Sequence, residues 1–92
     1  MKKCVKIVFQ VSLKKGFLHD FIQYHARSFG LEGVAQMQAP DSVKIIACGP
    51  LEDIDSLVDV LHKESAKYSI AHIEIESFLK DRDYRGIFRV IE

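Results

Sequence analysis

The order in which the hydrophobic pattern changes along the chain constrains the fold more than any other feature. Residues 5–11 alternate between apolar and more polar side chains, which predicts a β-strand with one well-buried face. Over residues 17–29 the apolar side chains recur at helical spacing, and Gly30 follows where a helix C-terminus favours positive φ. The chain therefore opens with a strand followed by a helix.

A hairpin and a second helix come next. Residues 31–38 predict a weaker strand, which turn residues at 39–41 connect to another strand over residues 42–50. Residues 51–67 then show an apolar helical stripe, with acidic side chains in the first turn, where the helix dipole favours negative charge. Alternation returns over residues 71–78 and predicts a further strand.

Two more segments complete the predicted order of elements. Residues 80–86 form a polar loop and residues 87–91 a short terminal strand. The order β-α-β-β-α-β with an added strand predicts an α+β fold of the split βαβ, or ferredoxin-like, type, with two helices on one face of an antiparallel sheet. The length of 92 residues suffices for one core and is too short for two, so we expect residues 1–92 to form a single domain.

The charge balance excludes several classes of partner. The chain has 13 basic and 13 acidic residues, so no global field draws it to nucleic acid or an anionic membrane. The aromatic stacking pair of RNA-recognition modules is also missing. No apolar run reaches the roughly 20 residues that span a bilayer, and the alternating first residues do not resemble a signal peptide. We expect a cytosolic protein with no nucleic-acid or membrane partner.

The cysteines and histidines do not form a metal-binding pattern. Two cysteines and four histidines without CxxC or HxxxH spacing predict neither a metal nor another cofactor. Reduced thiols are the ordinary state of Cys4 and Cys48 in such a protein. The first and third strands of a split βαβ sheet are antiparallel neighbours, however, which brings these cysteines together on the helix-free face. Our hypothesis is that they form a disulfide under oxidation. Val8 and Ile46 form a small apolar patch on that face, so weak self-association stays open beside the expected monomer.

Residues 29–50, FGLEGVAQMQAPDSVKIIACGP, resemble the central segment of acylphosphatases, LGLxGWVxNxxDGSVxxxxxGP. The final GIFRVIE is similar to the last strand of that family. Seven residues of the central segment match the pattern without a gap, namely Gly30, Leu31, Gly33, Ser42, Val43, Gly49 and Pro50, and Asp41 comes one position after the aspartate of the pattern. The resemblance implies the same ferredoxin-like fold that the periodicity predicts.

The resemblance also implies an activity, the hydrolysis of acyl phosphates, without metal or covalent nucleophile. The family's site is a loop and first helical turn of the form GxVQGVxFR, together with the asparagine of the GWVxN segment. Backbone N–H groups and the arginine surround the phosphate, and the asparagine amide orients the attacking water. A phosphate-like anion or an acyl phosphate is the implied ligand.

Both side chains of this site differ in the present chain. The family's spacing puts His19 at the arginine position and Met37 at the asparagine position. The loop falls on residues 11–18, where only one glycine remains, and the tryptophan position holds Val34. The residues expected to surround an anion are Lys14, Lys15, Gly16, Phe17, Leu18 and His19.

Three functions stay open at this point. The first is a pseudoenzyme that binds an anion or a protein partner and has little or no hydrolytic activity. The second is an active acylphosphatase that uses the lysines of the loop and His19. The third is a structural or interaction module in which the site has no role. Histidine offers two opposed donors instead of a planar fork, and the methionine thioether cannot hold a water, so the first is preferred.

Overall fold

The computed structural model describes residues 2–11, 17–39, 41–77 and 87–91, and for residues 2, 17–19 and 39 it describes the backbone. These described residues form five strands and four helical segments. They are β1 (Lys2–Gln10), a π-helical segment (Phe17–Gln23) continuing into α1 (Tyr24–Ser28), β2 (Glu32–Ala39), β3 (Ser42–Pro50), α2 (Leu51–Lys63), α3 (Ser65–Tyr68), β4 (Ala71–Ser77) and β5 (Phe88–Ile91).

The five strands form one sheet in the order β4-β1-β3-β2-β5. β1 pairs antiparallel with β3 and β4, and β2 pairs antiparallel with β3, which confirms the predicted split βαβ arrangement. The added strand β5 differs, because it pairs parallel with β2 and makes the whole sheet mixed. The chain leaves β4 at the end of the sheet where β2 begins, so a following strand on the free side of β2 runs in the same direction as β2.

The core lies between one face of this sheet and the helices. Odd-numbered positions of β1 and β3 face it, as alternation requires. The helices contribute an apolar stripe, which in α2 consists of Ile54, Leu57 and Leu61. The small side chains Ala26 and Ala35 are fully buried. Among the residues that the structure describes, seventeen are buried in this cluster: Val5, Ile7, Phe9, Val11, Phe21, Ile22, Ala26, Leu31, Ala35, Val43, Ile45, Ala47, Ile54, Leu57, Leu61, Ile70 and Phe88.

The first helix differs from the regular α-helix that its spacing predicts over residues 17–29. Its first part, Phe17–Gln23, is π-helical, and only Tyr24–Ser28 is α-helical. Apolar spacing over so few turns cannot separate the two forms, since either one buries Phe21 and Ile22. The predicted end is confirmed. Gly30 has φ +70°, and the N–H of Leu31 donates to the carbonyl of Ala26 in a Schellman motif.

The second predicted helix, residues 51–67, is interrupted near its end. α2 stops at Lys63, Glu64 has φ −96° and ψ 8°, and the short α3 follows. The hydroxyl of Ser65 donates to the carbonyl of His62 at 2.8 Å. Serine side chains compete with backbone donors in this way, which accounts for a break that the apolar stripe does not indicate.

The helix-free face contains the two cysteines. Cys4 and Cys48 are directly opposite each other on β1 and β3, with Cα atoms 4.1 Å apart, and a disulfide joins them. The predicted proximity is therefore confirmed, and the expectation of two reduced thiols is wrong. Ile46 and Val34 pack beside the disulfide in a second, smaller apolar cluster. This cluster explains why β3 is buried on both faces over most of its length.

Replacing Gly33 by alanine is expected to destabilise the protein by about 3 kcal/mol. A Cβ at this position would overlap the carbonyl oxygen of Ile46, and φ is +142°, where L-residues are strained. The matched control is Gly30→Ala, where φ is +70° but no atom lies within 4 Å. There we expect a loss of only about 1 kcal/mol from backbone strain. Urea unfolding measures both losses, and equal values would contradict the steric argument.

Candidate functional site

One end of the sheet brings together the segments that the sequence singles out. β1 ends there, β2 meets β3 in the hairpin turn, and the chain enters the π-helical segment. The backbone N–H of Val11 donates to the carbonyl of Asp41 at 2.9 Å, which ties the exit from β1 to the hairpin. Lys14, Lys15 and Gly16 lie outside the described residues.

The backbone of Phe17, Leu18 and His19 forms the start of the π-helical segment, while their side chains lie outside the described part of the structure. The first N–H groups of a helix have no partner within the helix, and the dipole there favours negative charge. Asp20 already places an exposed carboxylate in this first turn. This carboxylate therefore already lies at the end of the helix where the dipole favours negative charge.

Met37 lies on the helix-facing side of the sheet, near the same end. It pairs with Val43, which in turn pairs with Phe9, so the three form one row across β2, β3 and β1. Phe9 and Val43 are fully buried, and the partly buried Met37 packs against the main core. β2 also contacts the π-helical segment. Position 37 therefore lies on the helix-facing side of a strand that contacts the π-helical segment.

The two glutamines beside Met37 do not replace an asparagine there. Successive side chains of a strand point to opposite faces, so Gln36 and Gln38 belong to the helix-free face. Gln36 pairs with Lys44, and Gln38 lines a surface cavity together with Lys6. Their amides are therefore separated by the sheet from the side where the family's asparagine would lie.

Within residues 2–11, 17–39, 41–77 and 87–91, no three histidine, cysteine, aspartate or glutamate side chains lie close enough to hold a metal ion. None of the described helices is long and apolar enough to cross a membrane.

Two contacts, one at each end of the sheet, have no signature in the sequence. In the first, the backbone N–H of Val11 donates to the carbonyl of Asp41. In the second, Arg27 Nε donates to the carbonyl of Phe88 at 3.2 Å. The second contact fixes α1 against the edge strand β5. Both involve backbone carbonyls, which every residue carries, so the spacing of residue types does not indicate them.

Comparison with solved structures shows where this fold recurs. The chain is similar to an acylphosphatase from Coxiella burnetii, with 20% identity, a TM-score of 0.83 and coverage of 98% of this chain and 93% of that one. An acylphosphatase from Bacillus subtilis matches with 18% identity, a TM-score of 0.82 and full coverage of both chains. HypF from T. kodakarensis matches all of this chain over 12% of its own length, with 22% identity and a TM-score of 0.77. No curated protein sequence matches.

Agreement with a family description extends over nearly the whole chain. The acylphosphatase family model matches residues 12–90, from the segment after β1 through β5. This range includes the first helix, position 37 and the hairpin, which the fold brings to one end of the sheet. On this match, and with the fold that acylphosphatase structures share, the chain belongs to the acylphosphatase family.

Proposed function

We propose that this protein binds a phosphate-like anion at the start of its first helix and hydrolyses acyl phosphates weakly or not at all. The single observation that carries the proposal is the environment of Met37. Its thioether packs on the core at the position where the family resemblance implies a water-orienting amide. A pseudoenzyme of this kind keeps the frame of the site and lacks its catalytic side chains.

The chemistry of position 37 supports weak hydrolysis. Attack on an acyl phosphate needs a water held in line with phosphorus, and an asparagine amide supplies both a donor and an acceptor for that water. Methionine has no donor, and its sulfur accepts hydrogen bonds only weakly. Because Gln36 and Gln38 belong to the opposite face, neither neighbouring amide can take over this role.

The chemistry of position 19 points in the same direction. A guanidinium forms two parallel hydrogen bonds to one phosphate and is always charged. An imidazole offers at most two donors that point in opposite directions. Lys14 and Lys15 can restore positive charge as flexible point charges but cannot reproduce the planar fork. Removing one preorganised donor from an active site lowers the rate by roughly 10² to 10³, so two independent losses remove about 10⁴ or more.

Two measurements on the same protein separate binding from hydrolysis. We expect benzoyl phosphate to be hydrolysed barely faster than in buffer, while phosphate titration shifts the backbone amides of residues 14–19. Lys14→Ala/Lys15→Ala should abolish those shifts, whereas the matched variant Lys63→Ala/Lys67→Ala, which removes two lysines from α2 and α3, should keep them. Hydrolysis at the rate of an ordinary enzyme would reject the proposal of weak activity. Unchanged amides would reject the anion site.

The alternative function is that of an active acylphosphatase, and the family match over residues 12–90 favours it. In that case Lys14, Lys15 and His19 would have to stabilise the phosphoryl group by charge alone. The benzoyl phosphate assay decides between the two functions. A monomeric state and a cytosolic location stay predictions, and the Cys4–Cys48 disulfide is an argument against a reducing compartment.

A further inference from the structure

The outer edge of β4 is exposed along the sheet. β4 is the edge strand next to β1, and within the described part of the chain no strand pairs with its other side. All of its residues are exposed except the half-buried Ile73. An edge of this kind presents unpaired N–H and C=O groups that can bind another extended chain.

A bulge limits the regular part of this edge. Val8 pairs with Glu74 and Gln10 with Ala71, so β4 has one residue more than β1 between these pairs. His72 lies between these two pairs and has φ 56°. Bulges twist a strand and interrupt its pairing. The regular edge therefore extends from Ile73 to Ser77.

The two faces of this stretch have different chemistry. Glu74 and Glu76 project on the helix-free face, where Glu76 is paired with Lys6 at 2.7 Å and keeps 63% of its side chain exposed. Both glutamates line a surface cavity of about 440 Å³. On the other face Ile75 is 44% exposed, although its partner on β1, Ile7, is fully buried. A strand added here would meet negative charge on one face and an aliphatic surface on the other.

This pattern disfavours a second copy of the same strand. An antiparallel β4–β4 pair centred on Ile75 in one continuous sheet places Glu74 opposite Glu76 of the other copy, and a pair centred on Glu74 places the two Glu74 side chains together. Directly opposed like charges destabilise a strand pair. Charge repulsion therefore disfavours pairing between two β4 edges in these registers. A strand with positive side chains opposite Glu74 and Glu76 would instead be complementary to the edge.

We propose that the edge of β4, from Ile73 to Ser77, binds an extended peptide segment in which lysine or arginine alternates with aliphatic residues. The basic side chains lie over Glu74 and Glu76, and the aliphatic ones pack on Ile75. Backbone hydrogen bonds to the edge supply affinity, and the alternation supplies selectivity. This site does not depend on the anion site proposed above.

Synthetic seven-residue peptides test the proposal. The first alternates lysine and valine, the second contains the same residues with the lysines in one block, and the third alternates glutamate and valine. We expect saturable binding of the first alone, with amide shifts concentrated at residues 73–77 and affinity that falls as salt is raised. Shifts centred elsewhere, equal binding of the blocked peptide, or no saturation would overturn the proposal.

A charge reversal gives the second test. Glu74→Lys should weaken binding of the lysine peptide by roughly fivefold or more and create binding of the glutamate peptide, because opposed charges on facing strands attract. The matched control is Asp59→Lys, an identical change of net charge at an exposed position of α2. Equal effects of the two variants would show that net charge alone attracts the peptide, and would overturn the site. Both positions are exposed, so an unchanged amide spectrum elsewhere confirms that each variant folds.

Discussion

The double variant His19→Arg/Met37→Asn is expected to hydrolyse benzoyl phosphate about 10⁴-fold faster than the parent protein. The arginine would restore a bidentate clamp on the phosphate, and the asparagine would restore an amide for the attacking water. The two substitutions fall in elements that are in contact, since β2 contacts the π-helical segment, and Met37 faces the core side of the sheet. Each single variant should recover only part of the rate, because either missing group leaves the water or the phosphate misplaced.

Controls for this experiment separate chemistry from stability. Met37 packs on the core, so replacing it by asparagine is expected to cost about 2 kcal/mol, and assays belong well below the unfolding temperature. The control is the double variant His62→Arg/Met37→Leu. It introduces the same histidine-to-arginine change at an exposed position near the end of α2, and it keeps an apolar side chain at position 37. It should stay inactive. If the double variant is also inactive although folded, the loop of residues 11–18 lacks the shape of a phosphate site.

Periodicity predicts which segments are strands and helices here because each buries one face. The strands of the hairpin and the stripe Ile54, Leu57 and Leu61 on α2 follow from it directly. The apolar pattern does not predict local hydrogen bonding within an element. The π-helical form of Phe17–Gln23 and the break after Lys63 depend on which carbonyl each donor selects, while the apolar spacing stays the same. The direction of β5 depends on where the chain re-enters the sheet, which is a property of the topology.

In the candidate site, too, the sequence predicts some features and not others. Strand alternation predicts that Met37 and its glutamine neighbours lie on opposite faces, while the packing of Met37 in the structure shows that its face is the core side. It also predicts the proximity of Cys4 and Cys48, because parity and strand order determine both face and row. The tie between Val11 and Asp41 could not be predicted, since it joins backbone groups of residues 30 positions apart. The direction of the His19 side chain lies outside the described structure.

Reducing the disulfide is expected to lower the free energy of unfolding by about 4 kcal/mol. The bond joins residues 44 positions apart, and a cross-link over a loop of this length removes much of the conformational freedom of the unfolded chain. Comparison of oxidised and reduced wild-type protein by urea unfolding isolates the cross-link, because both forms keep the buried sulfur atoms of Cys4 and Cys48.

The variant Cys4→Ala/Cys48→Ala provides the second arm of this test. It should lose at least as much stability as the reduced protein, since it also removes two buried sulfur atoms beside Ile46 and Val34. Its stability should not change when a reductant is added, which checks that the reductant acts on the disulfide alone. Counting free thiols before and after mild oxidation establishes that the bond forms in solution. Two titratable thiols in both samples, or equal unfolding of oxidised and reduced protein, would contradict a cross-link that stabilises this sheet.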